Sequence, residues 1–474
     1  MSALSLDYPT TSFPKNMSYH FDKIVNYSKQ TVKVYCDRTG NIAHGESLIF
    51  ELPKNTLIDL DSLLWSYNLT IPVFSTADGP QTRCRRLARN SASIIDAIYV
   101  YINDQQISAD SYYNHLFNLM TDHTAGFDFH SSGVRQLENT DPSILQTYNN
   151  ANGALANVRA GAIQVADNSD NGRQYIVRNW LSFLGTCATR VIDTSLFGTI
   201  KVEIRLAEPT ILWASAATNG ANPVVVNANP SYTINGTNSF MSITKIAFGD
   251  SVYYNLLRNI VMSSGLKIPY KTYTAHRGNA FTKAAGTFTH QFNVNSSHLT
   301  KLIGTTLIGA YQTDVGLILE DPGDGFLTQV AGQDATLFNQ CAYFRKEATG
   351  LGSLNWDINN VSQYPAPISY TDVYNENLKA LNMDNDVQAG CHPGMQSVYQ
   401  FLRYYFVSIL SFEHIQNTPE FVLEGLDGKA AQINCKLTLT FEDVGEARDL
   451  IPLVWSERQC VLNVNAGQQV FVDK

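Results

Sequence analysis

Along most of this chain apolar and polar residues alternate one for one over short runs that break at Gly, Pro, Asn or Asp. Residues 432–442 (QINCKLTLTFE) form the clearest run. Ile433, Cys435, Leu437, Leu439 and Phe441 fall on one face, and Gln432, Asn434, Lys436, Thr438, Thr440 and Glu442 on the other. A period of two is what an antiparallel strand with one buried face requires. The same alternation predicts strands at 31–36, 47–52, 65–71 and 94–103 in the N-terminal half. In the last of these Ile98, Val100 and Ile102 point inward and Tyr99 and Tyr101 outward. This half is predicted to close with 177–184 and the alternating 199–206 (TIKVEIRL). The C-terminal half is predicted to carry strands at 240–248, 286–295, 302–310, 315–319, 401–412, 432–442, 459–464 and 469–472.

Two stretches change period. After Asp110 or Ser111, Tyr112, Leu116 and Met120 recur at every fourth residue and Leu119 widens the stripe, which predicts a short helix. A second helix is predicted over 370–381, where Tyr370, Tyr374, Leu378 and Leu381 line one side. Ser369 and Asp372 have the capping-box spacing at its start. Residues 122–178 are mostly small and polar, too long for an ordinary connection, and read as an elaborated surface loop or insertion. The polar start, with Pro9 and Pro14, reads as an extended arm. The expected organisation is an arm at 1–22, a first domain at 23–214, a linker rich in Ala, Asn and Pro at 215–239, and a second domain at 240–474. With strands for roughly eight per half, the predicted fold is all-β: two consecutive eight-stranded jelly-roll β-sandwiches with short inserted helices and long loops. Immunoglobulin-type sandwiches suit the pattern less, because their strands are more evenly spaced and lack such helices and insertions.

Composition narrows the class. With 44% hydrophobic and only 16% charged residues, the chain describes a globular protein with a large core and a weakly charged surface, part of which is expected to meet other protein. The 24 Tyr and 23 Phe suit sheets and buried interfaces. A net charge of −9 argues against a protein whose main work is coating nucleic acid. The cysteines (Cys36, Cys84, Cys187, Cys341, Cys391, Cys435 and Cys460) are scattered, odd in number and never in a CxxC arrangement, so they read as free core thiols of a reducing compartment. No secretory signal and no transmembrane span are predicted. The sequons at Asn16, Asn26, Asn68, Asn235, Asn295 and Asn360 then reflect the abundance of Asn, Ser and Thr.

Candidate chemistry is thin, and no catalytic, cofactor or metal residues are expected. Gly249-Asp250-Ser251-Val252 resembles a GDS esterase block, but none of His276, His290, His298, His392 and His414 follows an Asp at the spacing that chemistry uses, so a turn explains it better. His115, His123 and His130 with Asp122 and Asp128 match no ligand spacing, with His115 expected on the helix and the rest in a loop. Asp314, Glu320, Asp321 and Asp324, like Asp384 and Asp386, read as solvated turns rather than calcium sites. Gly425 to Lys429 lacks the phosphate-loop spacing and reads as a hairpin turn. One basic cluster stands out, Arg83, Arg85, Arg86 and Arg89. Its two readings are contact with packaged DNA through phosphates and the bridging of carboxylates at a subunit interface; in an otherwise acidic chain the interface is preferred.

Two stretches resemble a known family. The first comprises FELPKNTLIDLDSLLWSYNLTI from Phe50 and SASIIDAIYVYINDQQISADSYYNHLFNLM ending at Met120; the second is QYPAPISYTDVYNENLKAL from Gln363 to Leu381. They are similar to the extended entry, strand and Tyr-bearing helix of double jelly-roll major capsid proteins, especially those of polinton-like viruses and virophages. The resemblance implies a structural protein, not an enzyme: homotrimers that present six lobes and tile an icosahedral shell around DNA. It further implies contact with neighbouring trimers and with penton or minor capsid proteins, in virions assembled in the host cytoplasm or nucleus. The rival expectations are a carbohydrate-binding or glycan-processing pair of β-sandwiches, which would need paired carboxylates or exposed aromatics on one sheet, and a vertex or spike component.

Overall fold

The computed structural model describes residues 27–71, 83–87, 90–125, 173–216, 231–248, 259, 265–309, 312, 342–381, 398–413, 423–428, 432–442, 448–465 and 469–473. The expected arm at 1–22 and the strand at 315–319 lie outside them, as does most of the insertion.

The first half begins with β1 (Tyr27–Tyr35), β2 (Asn41–Ala43), β3 (Ser47–Glu51) and β4 (Leu57–Thr70). There follow β5 (Arg83–Leu87), β6 (Ile95–Ile102), β7 (Gln105–Ser111) and helix α1 (Tyr113–Thr124). Beyond the insertion come β8 (Arg173–Val177), α2 (Ser182–Thr186), β9 (Val191–Asp193), α3 (Thr194–Phe197) and β10 (Ile200–Leu206). The half ends with β11 (Leu212–Ala216), β12 (Thr233–Asn235) and β13 (Phe240–Phe248). One sheet has the order β1-β13-β4-β12-β2, with β8 and β9 also on β4; the facing sheet is β3-β10-β6-β7, and β5 pairs with β11 in a ribbon. The inward residues of both sheets meet in one core around Trp65, Tyr67, Phe50, Val100 and Val202.

The second half runs β14 (Leu266–Arg277), β15 (Phe281–Thr282), β16 (Gly286–Val294), β17 (Leu299–Ile308), β18 (Leu351–Ile358), β19 (Val361–Ser362) and β20 (Ile368–Ser369). It continues with α4 (Tyr370–Ala380), α5 (Val398–Tyr404), β21 (Ser408–Ser411), β22 (Ile433–Phe441), β23 (Asp449–Asn465) and β24 (Gln469–Asp473). Its sheets have the orders β14-β23-β17-β21 and β16-β22-β18-β19. Trp356, Trp455, Leu437 and Ile303 anchor the core between them. Strand pairing is antiparallel in every ladder of both halves, as period-two strands covered on one face allow. This is the expected all-β architecture of two successive jelly-roll sandwiches.

Several local expectations hold. The burial of β22 alternates along its whole length, and α4 begins at Ser369 with both capping-box hydrogen bonds formed. Others are corrected. Residues 240–248, expected to open the second domain, are β13, which pairs with β1 and β4 of the first sandwich. The expected linker 215–239 likewise contains β12, paired with β2 and β4. Met241 and Ile243 are fully buried there, so β13 fills the first core and the change of sandwich falls between Phe248 and Leu266. Of residues 177–184 only Val177, the end of β8, is strand: Asn179 and Ser182 take positive φ (60° and 58°), which breaks the extension before α2. Within 401–412, Phe401–Tyr404 belongs to α5 and only Ser408–Ser411 is strand, a short aromatic run having no decisive period. β14 was not foreseen; it carries Pro269, tolerated because β14 is the outer strand of its sheet.

Candidate functional site

The two sandwiches do not meet as separate bodies. Ile268 and Tyr270 of β14, Cys460, Leu462 and Val464 of β23, and Val470 of β24 all lie in the first core. Conversely Leu116 and Leu119 of α1 lie in the second. Tyr270 donates its hydroxyl to Ile107 O at 2.7 Å, and Trp455 Nε1 donates to Ser111 O at 3.4 Å. Lys271 N donates to Thr186 Oγ1 (2.8 Å), and Ala188 N donates to Pro269 O (3.0 Å). Because these bonds join backbone to backbone or to buried and half-buried side chains, the joint is stiff as well as apolar.

Buried carboxylates run through this joint. Asp110, at the end of β7, is 1% exposed. It accepts from Ser108 Oγ (2.7 Å), Ser182 Oγ (3.0 Å), Thr272 Oγ1 (3.3 Å) and Tyr273 N (3.0 Å), so donors from both halves converge on it. Burial pushes its pKa up in spite of those bonds. Tyr273 then carries the chain onward, donating its hydroxyl to Glu457 Oε2 at 3.0 Å. Glu457 Oε1 accepts from Lys271 Nζ and Thr300 Oγ1, each at 2.9 Å. Lys301 lies 3.9 Å away, and Glu413 pairs with both lysines at 2.9 and 3.0 Å. Burial alone would raise Glu457, but Lys301 and Lys271 hold it down at about 2. A separate cluster in the second sandwich centres on buried Glu347, which accepts from Lys283, Arg345, Arg448 and Thr349. Nothing in the sequence set these residues apart from ordinary surface charges.

The candidates singled out from sequence fare differently. Arg83, Arg85 and Arg86 lie on β5, opposite Ala216, Ala214 and Trp213 of β11, while Arg89 is outside the described residues. Asp122 and His123 are not in a loop: α1 extends to Thr124 and buries both with His115, because its Leu, Phe and His face inserts between the sandwiches. His130 and Asp128 are outside the described residues, as are Gly249–Val252, Asp314 to Asp324, Asp384 and Asp386. Gly425–Asp427 is not a simple hairpin turn: Leu426 forms an antiparallel bridge with Leu299. Cys36, Cys187, Cys435 and Cys460 are buried and not disulfide-bonded. Among the described residues no group of three or more His, Cys, Asp or Glu could hold a metal, and no helix is long and apolar enough to cross a membrane.

One cavity of about 380 Å³ opens on the side of the second sandwich between β14, β15 and β16. Its walls include Arg277, Phe281, Phe288, His290, Leu437 and Pro452, and its lining contains no carboxylate. The acid pair that glycoside hydrolysis needs is therefore not in this cavity. Beside it His276 and His290 stack on Phe292 at 4.6 and 5.2 Å, and burial lowers both pKa values, that of His276 to about 4.

No protein-family model and no curated protein matches the sequence. Solved structures do match along nearly its whole length. The PBCV-1 virus capsid covers 96% of this chain and 98% of its own, at 11% identity and a TM-score of 0.54. The mavirus major capsid protein covers 99% and 95%, at 10% identity and a TM-score of 0.50. A chain of the Sputnik virophage covers 95% and 89%, at 11% identity and a TM-score of 0.54. At such identities the likeness is one of fold, and the fold is the double jelly-roll.

Proposed function

We propose that this chain is a viral major capsid protein whose work is association rather than turnover. Three copies, each supplying two sandwiches, form a homotrimer with six similar lobes, a pseudo-hexagonal tile for an icosahedral shell around DNA. Neighbouring trimers and penton or minor capsid proteins are its partners, and the virion, assembled in the host cytoplasm or nucleus, is its location.

The observation that carries this reading is the correspondence, over both sandwiches together and nearly the whole of each chain, with capsid proteins. The shared core and the Asp110–Tyr273–Glu457 chain add a physical reason. A tile built from paired lobes needs the angle between them to be set within the subunit, and buried charge networks impose one geometry, since a shifted partner leaves a charge unpaired.

The test is the size of the purified protein. A stable trimer near three times 52.6 kDa, or closed shells in electron micrographs at high concentration, supports the reading; a monomer that binds or hydrolyses glycans refutes it. The arginine strand divides its own two roles. Reversing Arg83, Arg85 and Arg86 to Glu abolishes the trimer at every salt concentration if they serve an interface. If they serve DNA, the trimer survives and duplex binding loses most of its salt dependence, which scales with the number of phosphates neutralised.

A further inference from the structure

Helix α1 belongs to both cores, with Tyr113 and Phe117 in the first and Leu116 and Leu119 in the second. Between them His115 is fully buried against the segment 342–346, which the second half of the chain contributes and whose Tyr343 and Phe344 pack into the first core. Its ring stacks on Tyr343 with centroids 4.5 Å apart and meets Phe344 edge-on at 5.3 Å. Neither ring nitrogen has a hydrogen-bond partner within 3.5 Å among the described residues.

The charged and titratable neighbours come from several elements. On α1 itself stand Asp122, whose Oδ2 lies 3.7 Å from the Nζ of fully buried Lys346, and at its N-cap Tyr112, whose ring is 6.3 Å from the imidazole. Segment 342–346 presents Tyr343 and Lys346; β14 presents Arg277, which donates to the Tyr112 hydroxyl at 3.2 Å. The Gln312 carboxamide, which donates to Tyr343 O at 2.8 Å, is the polar neutral neighbour. Burial first, then Lys346 and Arg277, drive the proton off His115, and Gln312 opposes them without prevailing. Asp122, the nearby carboxylate among the described residues, already faces Lys346.

We propose that His115 is an acid-released latch between the two sandwiches, holding α1 against Tyr343–Lys346 while its ring is neutral and letting go when the ring is protonated. Protonation would place a second cation beside buried Lys346, in a stacked apolar slot where the Gln312 carboxamide alone answers its N–H groups. The open form, in which the ring reaches water and its ordinary pKa near 6.5, is thus favoured by acid. The sign follows from the depressed pKa: the closed joint has its full stability above about pH 6.5 and loses it as the pH falls below, about tenfold in the opening equilibrium between pH 7.5 and pH 5.5. The latch is a property of one chain and does not depend on its assembly.

The test is hydrogen exchange read by mass spectrometry on the full-length protein at pH 7.5 and 5.5, corrected for the intrinsic pH dependence of amide exchange. The expected result is an opening that increases about tenfold in peptides of α1 and 342–346 while β22 stays unchanged. His115→Phe, which keeps the stacking and cannot titrate, removes this acid-dependent increase; His115→Gln serves the same comparison should the first variant fold poorly. The proposal is overturned if wild-type α1 shows no selective increase, a result that needs no variant, or if the non-titrating variants keep it in full. Acid opening driven by His276 and His290 would instead concentrate in β14 and β16 and survive both substitutions.

Discussion

Replacing Glu457 by Gln tests how strongly the buried charge network holds the second sandwich to the first. Glu457 sits in the middle of β23, 3% exposed, opposite Tyr273 of β14 and Lys301 of β17. Its carboxyl is held at about 2 against an ordinary 4.5. At about 1.4 kcal/mol for each tenfold change in proton affinity, this amounts to about 3 kcal/mol of stability at neutral pH. The figure agrees with the 3–5 kcal/mol or so expected when one partner of a buried pair is removed. E457Q leaves Lys271 and Lys301 with Glu413 alone. If all 474 residues melt together, the loss lowers Tm by only about 3 °C, so urea titration followed by the fluorescence of buried Trp356 and Trp455 is the better assay. Because the folded pKa is depressed, the contribution is complete above pH 4.5 and fades as the pH falls toward 2. The gap between wild type and E457Q should therefore shrink from about 3 kcal/mol at pH 7 to less than half of that at pH 3. A variant as stable as wild type at pH 7, or a gap of equal size at pH 3, would refute the reasoning.

Asp110 behaves in the opposite sense. Its pKa is raised, so its ionisation costs stability as the pH rises through the folded value. Asp110→Asn, which keeps an acceptor for Tyr273 N, should match or exceed wild type at pH 7 in a urea titration, whereas Asp110→Ala strands that donor and should cost about 2 kcal/mol more than the Asn variant. At the start of α4, Ser369→Ala removes the side-chain acceptor for Asp372 N and should cost about 1 kcal/mol by the same measurement, with no change in the pH dependence between 5 and 8 or so. An unchanged midpoint would mean that α4 is held by packing alone, chiefly through buried Val373 and Asn377.

Much of the fold was written in local periods. β22, β10 and β6 alternate in burial as their sequences alternate in polarity, because successive side chains on a pleated backbone must point to opposite faces. The helix at α1 and the capping box of α4 were equally plain, since a four-residue repeat and a Ser–Asp pair act within one turn. Long strands lost their ends: β23 runs through Pro452 and is buried on both faces for most of its length, so no alternation marks it.

By itself, then, the sequence determined the two successive β-sandwiches and their short helices, which rest on contacts within a few residues. The tertiary structure alone decided that β13 closes the first sandwich, that α1 serves both cores, and that Asp110 and Glu457 lie in one buried chain with Tyr273 between them. These depend on which distant segments pair and which charges lose water. An Asp or Glu carries no mark of its burial in the sequence; the partners that decide it, such as Tyr273 for Asp110 and Lys271 for Glu457, stand more than 150 residues away.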